Sequence, residues 1–218
     1  MTAQPARPDR SPSPADGPQH RDGLDFTSVV RRLCEELCRL DELRHVDMAR
    51  VAVRMCQTRR PGPYGVQATM TPLRFRDGAA TVRRRGAEWV VHPVPRDVEG
   101  RDGLYLLSLY VPRFLDLSFD EKIAVLVHEL WHVSPAFDGD LRRFPGRYHA
   151  HGARCDRYHD EMRDLAARWL AADPRAAWRP YLDGDFAALR ARFGRILGLR
   201  IPTPRLWRAD RLPRRGSA

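Results

Sequence analysis

Ser118 to Pro135, SFDEKIAVLVHELWHVSP, is the stretch on which the reading of the fold turns. Ser118 with Glu121 three residues on is a capping box, which marks where a helix starts. Asp120 and Glu121 suit the positive end of the helix dipole, and Pro135 marks where the helix must stop. Between them, Ile123, Val127 and Leu130 supply an apolar stripe that should pack the helix into a core.

Outward from this helix the pattern changes in both directions. Upstream, Phe26 to Val46 predicts a helix, with Val29, Val30, Leu33, Leu37 and Leu40 recurring at helical spacings. Short segments rich in β-branched and aromatic residues follow: Ala49–Gln57, Gly65–Phe75, Thr81–Pro93 and Leu104–Phe114. Pro61-Gly62-Pro63, Asp77-Gly78 and Asp102-Gly103 separate them. From Ser118 onward the chain reads as helical. The order helix, strands, helices predicts an α+β fold, with a small twisted mixed or antiparallel sheet backing the Ser118 helix and further helices behind it.

The 218 residues suit one domain with tails. Residues 1–22 hold five prolines and almost no large apolar side chains, which predicts a disordered tail. A domain over 23–200 and a basic tail over 201–218, in which Leu206 and Trp207 are candidates to dock, complete the expected organisation. No run of about 18 apolar residues is present, which argues against a transmembrane helix. No apolar secretory segment opens the chain, so a cytoplasmic location is expected.

The net charge is +10, carried almost wholly by arginine, with Lys122 the only lysine. Arginines spread along the chain read as coding bias more than as a phosphate-binding stripe, although the net field would still draw nucleic acid weakly. Cys34, Cys38, Cys56 and Cys155 form no CxxC pair and read as small buried hydrophobes in a reducing compartment.

The chemistry rests on His128, Glu129 and His132. Two imidazoles at i and i+4 share one face of a helix and can converge on a tetrahedral Zn²⁺. Glu129, turned by about 100° from His128, can lie beside a metal-bound water and take its proton as general base. Burying these three groups without partners would be costly, which favours a metal over chance. A third ligand is then required. His151 is the leading candidate and His149 the alternative, with Asp138 and Glu161 behind them. The longer HExxHxxGxxH pattern fails, because Pro135 and Asp138 stand at its glycine and last-histidine positions. His159 reads as an outer-face or ligand-orienting residue, Tyr148 as packing, and His20, His45 and His92 as structural.

These residues resemble the phage metallopeptidase family of zincin-like proteins, in which an HExxH helix is soon followed by a Phe-x-Gly-x-Leu-Arg type loop and a further histidine. The corresponding residues are His128 to His132, then Phe137-Asp138-Gly139-Asp140-Leu141-Arg142, then His151; Thr71-Pro72-Leu73-Arg74-Phe75 is a further point of likeness. The likeness covers about residues 25–172, and only the helix and the loop after it are specific. It departs from the family where Arg143 to Ala150 intervene, which leaves His149 and His151 both open. The resemblance implies a zinc metallopeptidase that hydrolyses a protein or peptide substrate. Two alternatives stand beside it: a nucleic-acid-associated protein with a structural zinc site, supported by Arg83-Arg84-Arg85 and Arg214-Arg215, and a zinc hydrolase acting on a non-peptide amide.

Overall fold

The computed structural model describes residues 19–20, 23–58, 65–143, 155–171 and 175–212. Its centre is a strand whose neighbours flank it in opposite senses. Tyr105–Val111 (β7) pairs in parallel with Val51–Gln57 (β3) and antiparallel with Ala68–Pro72 (β4), giving a mixed sheet in the order β3-β7-β4. The sequence YLLSLYV explains this central place. It is apolar at both parities, as a strand covered on both faces requires, and six of its seven residues are buried. Its one small polar residue, Ser108, accepts a bond from Arg54 Nε at 2.8 Å.

Two helices cover this sheet. Phe26–Leu37 (α1) begins at Asp25, whose carboxylate accepts Ser28 N at 3.1 Å and Ser28 Oγ at 2.7 Å. Its buried face of Phe26, Val29, Val30, Leu33, Cys34 and Leu37 joins the single core cluster. Phe119–Trp131 (α2) starts at Ser118 with the complete capping box and packs against β4. Cys155–Ala171 (α3) lies along α2 and adds Met162, Leu165, Ala166 and Trp169 to the core. Arg175–Leu182 (α4) and Phe186–Phe193 (α5) follow.

The only lysine is part of this core. Lys122 is fully buried on α2, and its Nζ donates to the carbonyls of Leu182 at 2.7 Å and Gly184 at 2.8 Å. Leu182 closes α4 and Gly184 lies in the turn just beyond it, so a cation from one helix satisfies the end of another. Burial pulls the Lys122 pKa from 10.5 down to about 8.

The fold is α+β, as expected, but its strands form three small sheets rather than one. Thr81–Arg84 (β5) and Ala87–His92 (β6) make a hairpin, turning at Arg85 and Gly86 with φ of 50° and 74°; two positive values in succession are the mark of a type I′ turn. Arg205–Arg208 (β9) adds antiparallel to β6, which fixes the backbone of Leu206 and Trp207 while their side chains stay exposed. The third sheet joins the segment before α1 to the segment after α5. Gln19–His20 (β1) pairs with Gly23–Asp25 (β2), and β2 runs parallel to Ile196–Leu197 (β8).

The first helix is shorter than its apolar pattern predicts. Leu37, Leu40, Leu43 and Val46 are spaced by three, and the amides of the last three bond the carbonyl three residues back, at 3.1 Å, 2.9 Å and 2.9 Å in turn. A spacing of three fits successive tight turns better than the 3.6-residue helix, so the apolar side chains reach the core without extending α1. Among the described residues no helix is long and apolar enough to cross a membrane.

Candidate functional site

Glu129 is the residue on which α2, β4 and a cleft meet. Its side chain is 8% exposed, and Oε2 accepts the backbone N–H of Met70 at 2.6 Å. Because that N–H points to Glu129, it lies on the side of β4 away from β7, at the outer edge of the sheet. Burial pushes the Glu129 carboxyl from 4.5 up to about 7, with the Met70 N–H pulling in the opposite direction. A carboxyl in that range exchanges its proton near neutral pH.

One turn of α2 brings His128 and His132 together beside it. Their Nε2 atoms are 3.1 Å apart, with the rings nearly perpendicular at 85° and centroids 4.7 Å apart. In the neutral pair one nitrogen donates and the other accepts, so the two rings share a proton. His128 and Glu129 open onto a cleft of about 290 Å³, walled by Gln67 and Ala68 at the start of β4, Ala124 and Val125 on α2, and Met162 and Arg163 on α3.

The end of α2 is held by the loop that follows it. Trp131 and His132 would otherwise leave carbonyls unpaired at the C-terminus. Arg142 takes both: its Nε donates to Trp131 O at 2.8 Å and its backbone N–H to His132 O at 2.7 Å. Its guanidinium also lies 4.0 Å over the Trp131 ring. Further anchors fix the loop. Tyr105 Oη donates to Asp140 O at 2.8 Å and accepts Gly139 N at 3.0 Å, and burial pushes the Tyr105 phenol up to about 12. Asp138 Oδ1 accepts the Asp140 amide at 3.0 Å.

No family model, curated protein or solved structure matches the chain. The resemblance to the phage metallopeptidase family is overturned together with the metal centre that it implies. That centre is not assembled: among the described residues, no group of three or more His, Cys, Asp or Glu side chains is placed to hold a metal ion. This overturns the zinc cofactor and the zinc metallopeptidase drawn from it, together with the structural-zinc and zinc-amidase alternatives. The physical reason is directional. Zinc sites of this kind use at least three protein ligands, and the described residues offer the His128–His132 pair alone, with Glu129 turned to Met70. Asp138 is engaged within its own loop, and Glu161 lies exposed on α3. His149 and His151 lie outside the described residues, as do Tyr148 and the side chain of His159.

The other expectations divide by location. His92 lies on β6, edge-on to Trp207 at 6.1 Å, and burial lowers the pKa of His45, so both have packed surroundings. Cys34 is buried with its thiol pKa raised, and Cys38 is raised to about 12, in both cases chiefly by burial, as expected of unreactive thiols. Three contributors to the site have no counterpart in the sequence reading: the Met70 amide, Arg142 as the helix lock, and Arg163 at the rim. The first is a backbone group and carries no residue signature. Arg142 is legible in the sequence as the last residue of the Phe-x-Gly-x-Leu-Arg type loop, with nothing to show that it folds back onto the helix end.

Proposed function

We propose that the cleft between α2, β4 and α3 is a proton-transfer site of an enzyme, in which Glu129 acts as general base on a bound ligand and His128 and His132 hold and relay the proton. The observation that carries this reading is one buried carboxylate, Glu129, beside the His128 imidazole on a single opening, with His132 paired to that imidazole. Each group arrives by a separate constraint: Glu129 by the Met70 amide, the imidazoles by one helical turn, and the helix end by Arg142. A general base within reach of a cleft, with a pKa near the working pH, is what such chemistry requires.

The ligand shape that suits the opening is an extended peptide segment. Strand β4 ends its sheet among the described residues and borders the cleft with Gln67 and Ala68; with the Met70 N–H taken by Glu129 and none on Pro72, a chain laid along it would be held at the Ala68 end and by outward carbonyls. Arg163 at the rim would meet a negatively charged group on that ligand. In this reading α2 is the active-site helix and residues 23–200 are the working unit, flanked by 1–22 and the basic stretch 201–218.

Carbon-detected NMR titration of Glu129, with nitrogen-detected titration of both imidazoles, tests the reading. Glu129 should titrate near neutrality, and its curve should respond to His128→Asn, because coupled sites share their protonation steps. In parallel, a peptide library is screened for binding, with Gln67 and Val125 resonances as reporters. Independent titration of the three groups, or peptide contacts confined to another face, refutes the proposal. So does a stoichiometric metal ion in protein purified without chelators and lost from His132→Ala, which would return the site to a metal-centred chemistry.

A further inference from the structure

At the far end of β4 from the Glu129 cleft lies a second, larger cavity of about 480 Å³. β4 spans five residues, so the two openings are separated by roughly 14 Å along the strand. Five arginines line the second one: Arg74, Arg76, Arg84, Arg142 and Arg143. Asp140 is the only acid among its walls, and Arg143 neutralises it through Nε at 2.8 Å and Nη2 at 2.9 Å. The same carboxylate also accepts the amides of Leu141 at 2.8 Å and Asp77 at 3.3 Å, so its acceptor capacity is spent inside the wall.

Three of the remaining cations are at most partly compensated. Arg74 meets Asp102 at 3.5 Å and Arg76 meets Asp77 at 3.6 Å, both at the long end of ion-pair contact. The Arg84 side chain, exposed on β5, has no partner among the described residues. Arg142 is engaged by Trp131 and forms part of the wall. Between these cations the walls are apolar: Pro72, Phe75, Val82 and Leu141. Guanidinium forks around an apolar floor match an anion that carries an apolar body, and several forks on one site favour a dianion over a carboxylate.

We infer that this arginine-lined cavity binds a phosphate monoester, with the phosphate among Arg74, Arg76 and Arg84 and the organic group against Phe75 and Leu141. Its volume falls in the range of small-molecule sites. The site shares β4 and the Arg142 loop with the Glu129 cleft but uses none of its reacting groups, so it stands whether or not that cleft transfers protons.

Calorimetry with phenyl phosphate, phenol, benzoate and inorganic phosphate tests the inference on the full chain. Phenyl phosphate should bind at least tenfold more tightly than phenol or benzoate, inorganic phosphate should compete, and added salt should weaken all phosphate binding. The double variant Arg76→Gln/Arg84→Gln changes exposed residues and should keep the wild-type melting temperature while weakening phenyl phosphate at least fivefold. A 5′-phosphorylated oligothymidylate and its unphosphorylated form separate a free monoester from a nucleic-acid end. Equal binding of phenol, equal binding of benzoate, an unchanged double variant, or binding of the oligonucleotides regardless of their phosphate would each overturn the inference.

Discussion

Replacing Glu129 by glutamine should make the protein more stable, and only above a certain pH. Burial raises this carboxyl from 4.5 to about 7, so between those values the folded chain holds a proton that the unfolded chain has released. Linkage then fixes the sign. The group's contribution is fully present below the unfolded value and is lost as pH rises through the folded one. At about 1.4 kcal/mol per pH unit, the interval amounts to about 3 kcal/mol of destabilisation that the ionised form carries above neutrality. The carboxamide of Glu129→Gln is neutral at every pH, and its oxygen can still accept the Met70 N–H, so the local bond survives. Setting about 1 kcal/mol against the gain for the amide N–H₂ group in a site built for oxygen leaves a net of about 2 kcal/mol. Urea denaturation of both proteins at several pH values, with the slope held common, reads this directly. Glu129→Gln should fall about 1 kcal/mol below wild type at about pH 4 and exceed it by about 2 kcal/mol at about pH 8. A difference that does not change with pH would refute the argument, because it would mean the carboxylate is not held against its ionised form.

Lys122 gives a stability that rises with pH in its own window. Its pKa falls from 10.5 to about 8, so the unfolded state binds more protons between those values; relative to Lys122→Met, wild type should gain about 2 to 3 kcal/mol across them in pH-dependent denaturation. Gly139→Ala should lower stability by about 2 to 3 kcal/mol, since φ is 91° and a Cβ would sit 2.5 Å from Arg74 Cγ; calorimetric melting checks it, and an unchanged midpoint would show that the loop is not confined. Ser118→Ala should cost about 1 kcal/mol through the lost capping box, and faster amide exchange in the first turn of α2 should accompany it.

Whatever local chemistry dictates is legible in the sequence. The capping residues of α2 and the i, i+4 placement of its histidines are properties of a few adjacent positions, and the structure puts them where those positions say. The strands β3, β4, β6 and β7 are likewise marked by their composition. β8 and β9 are not, because two and four residues are too few for a period to register, and their partners lie far away in the chain. The end of α1 is hidden because a spacing of three looks like a helix until the backbone bonds are known. At the site, side-chain identity points to Glu129 as a base but does not show that the Met70 amide holds it. The zinc centre was an inference from economy: buried imidazoles and a carboxylate need partners. Here the described partners are a peptide N–H for the carboxylate and, between the imidazoles, each other.

The pairing of β2 with β8 has a consequence for how the chain acquires its shape. Leu24 is matched to Ile196, and the segment around Ile196 is stitched to the beginning of the chain: Leu24 N to Arg195 O, Met55 N to Leu199 O, and Arg54 Nη1 to Ile201 O and Thr203 Oγ1. A polypeptide leaving the ribosome can form α1 and the β3-β7-β4 sheet early, but the edges of β2 and β3 stay uncovered until residues 195–203 emerge. Throughout that interval a neighbouring nascent chain can offer its own copy of the missing segment. The order of synthesis thus leaves β2 and β3 open to exchange between molecules until residues 195–203 are made.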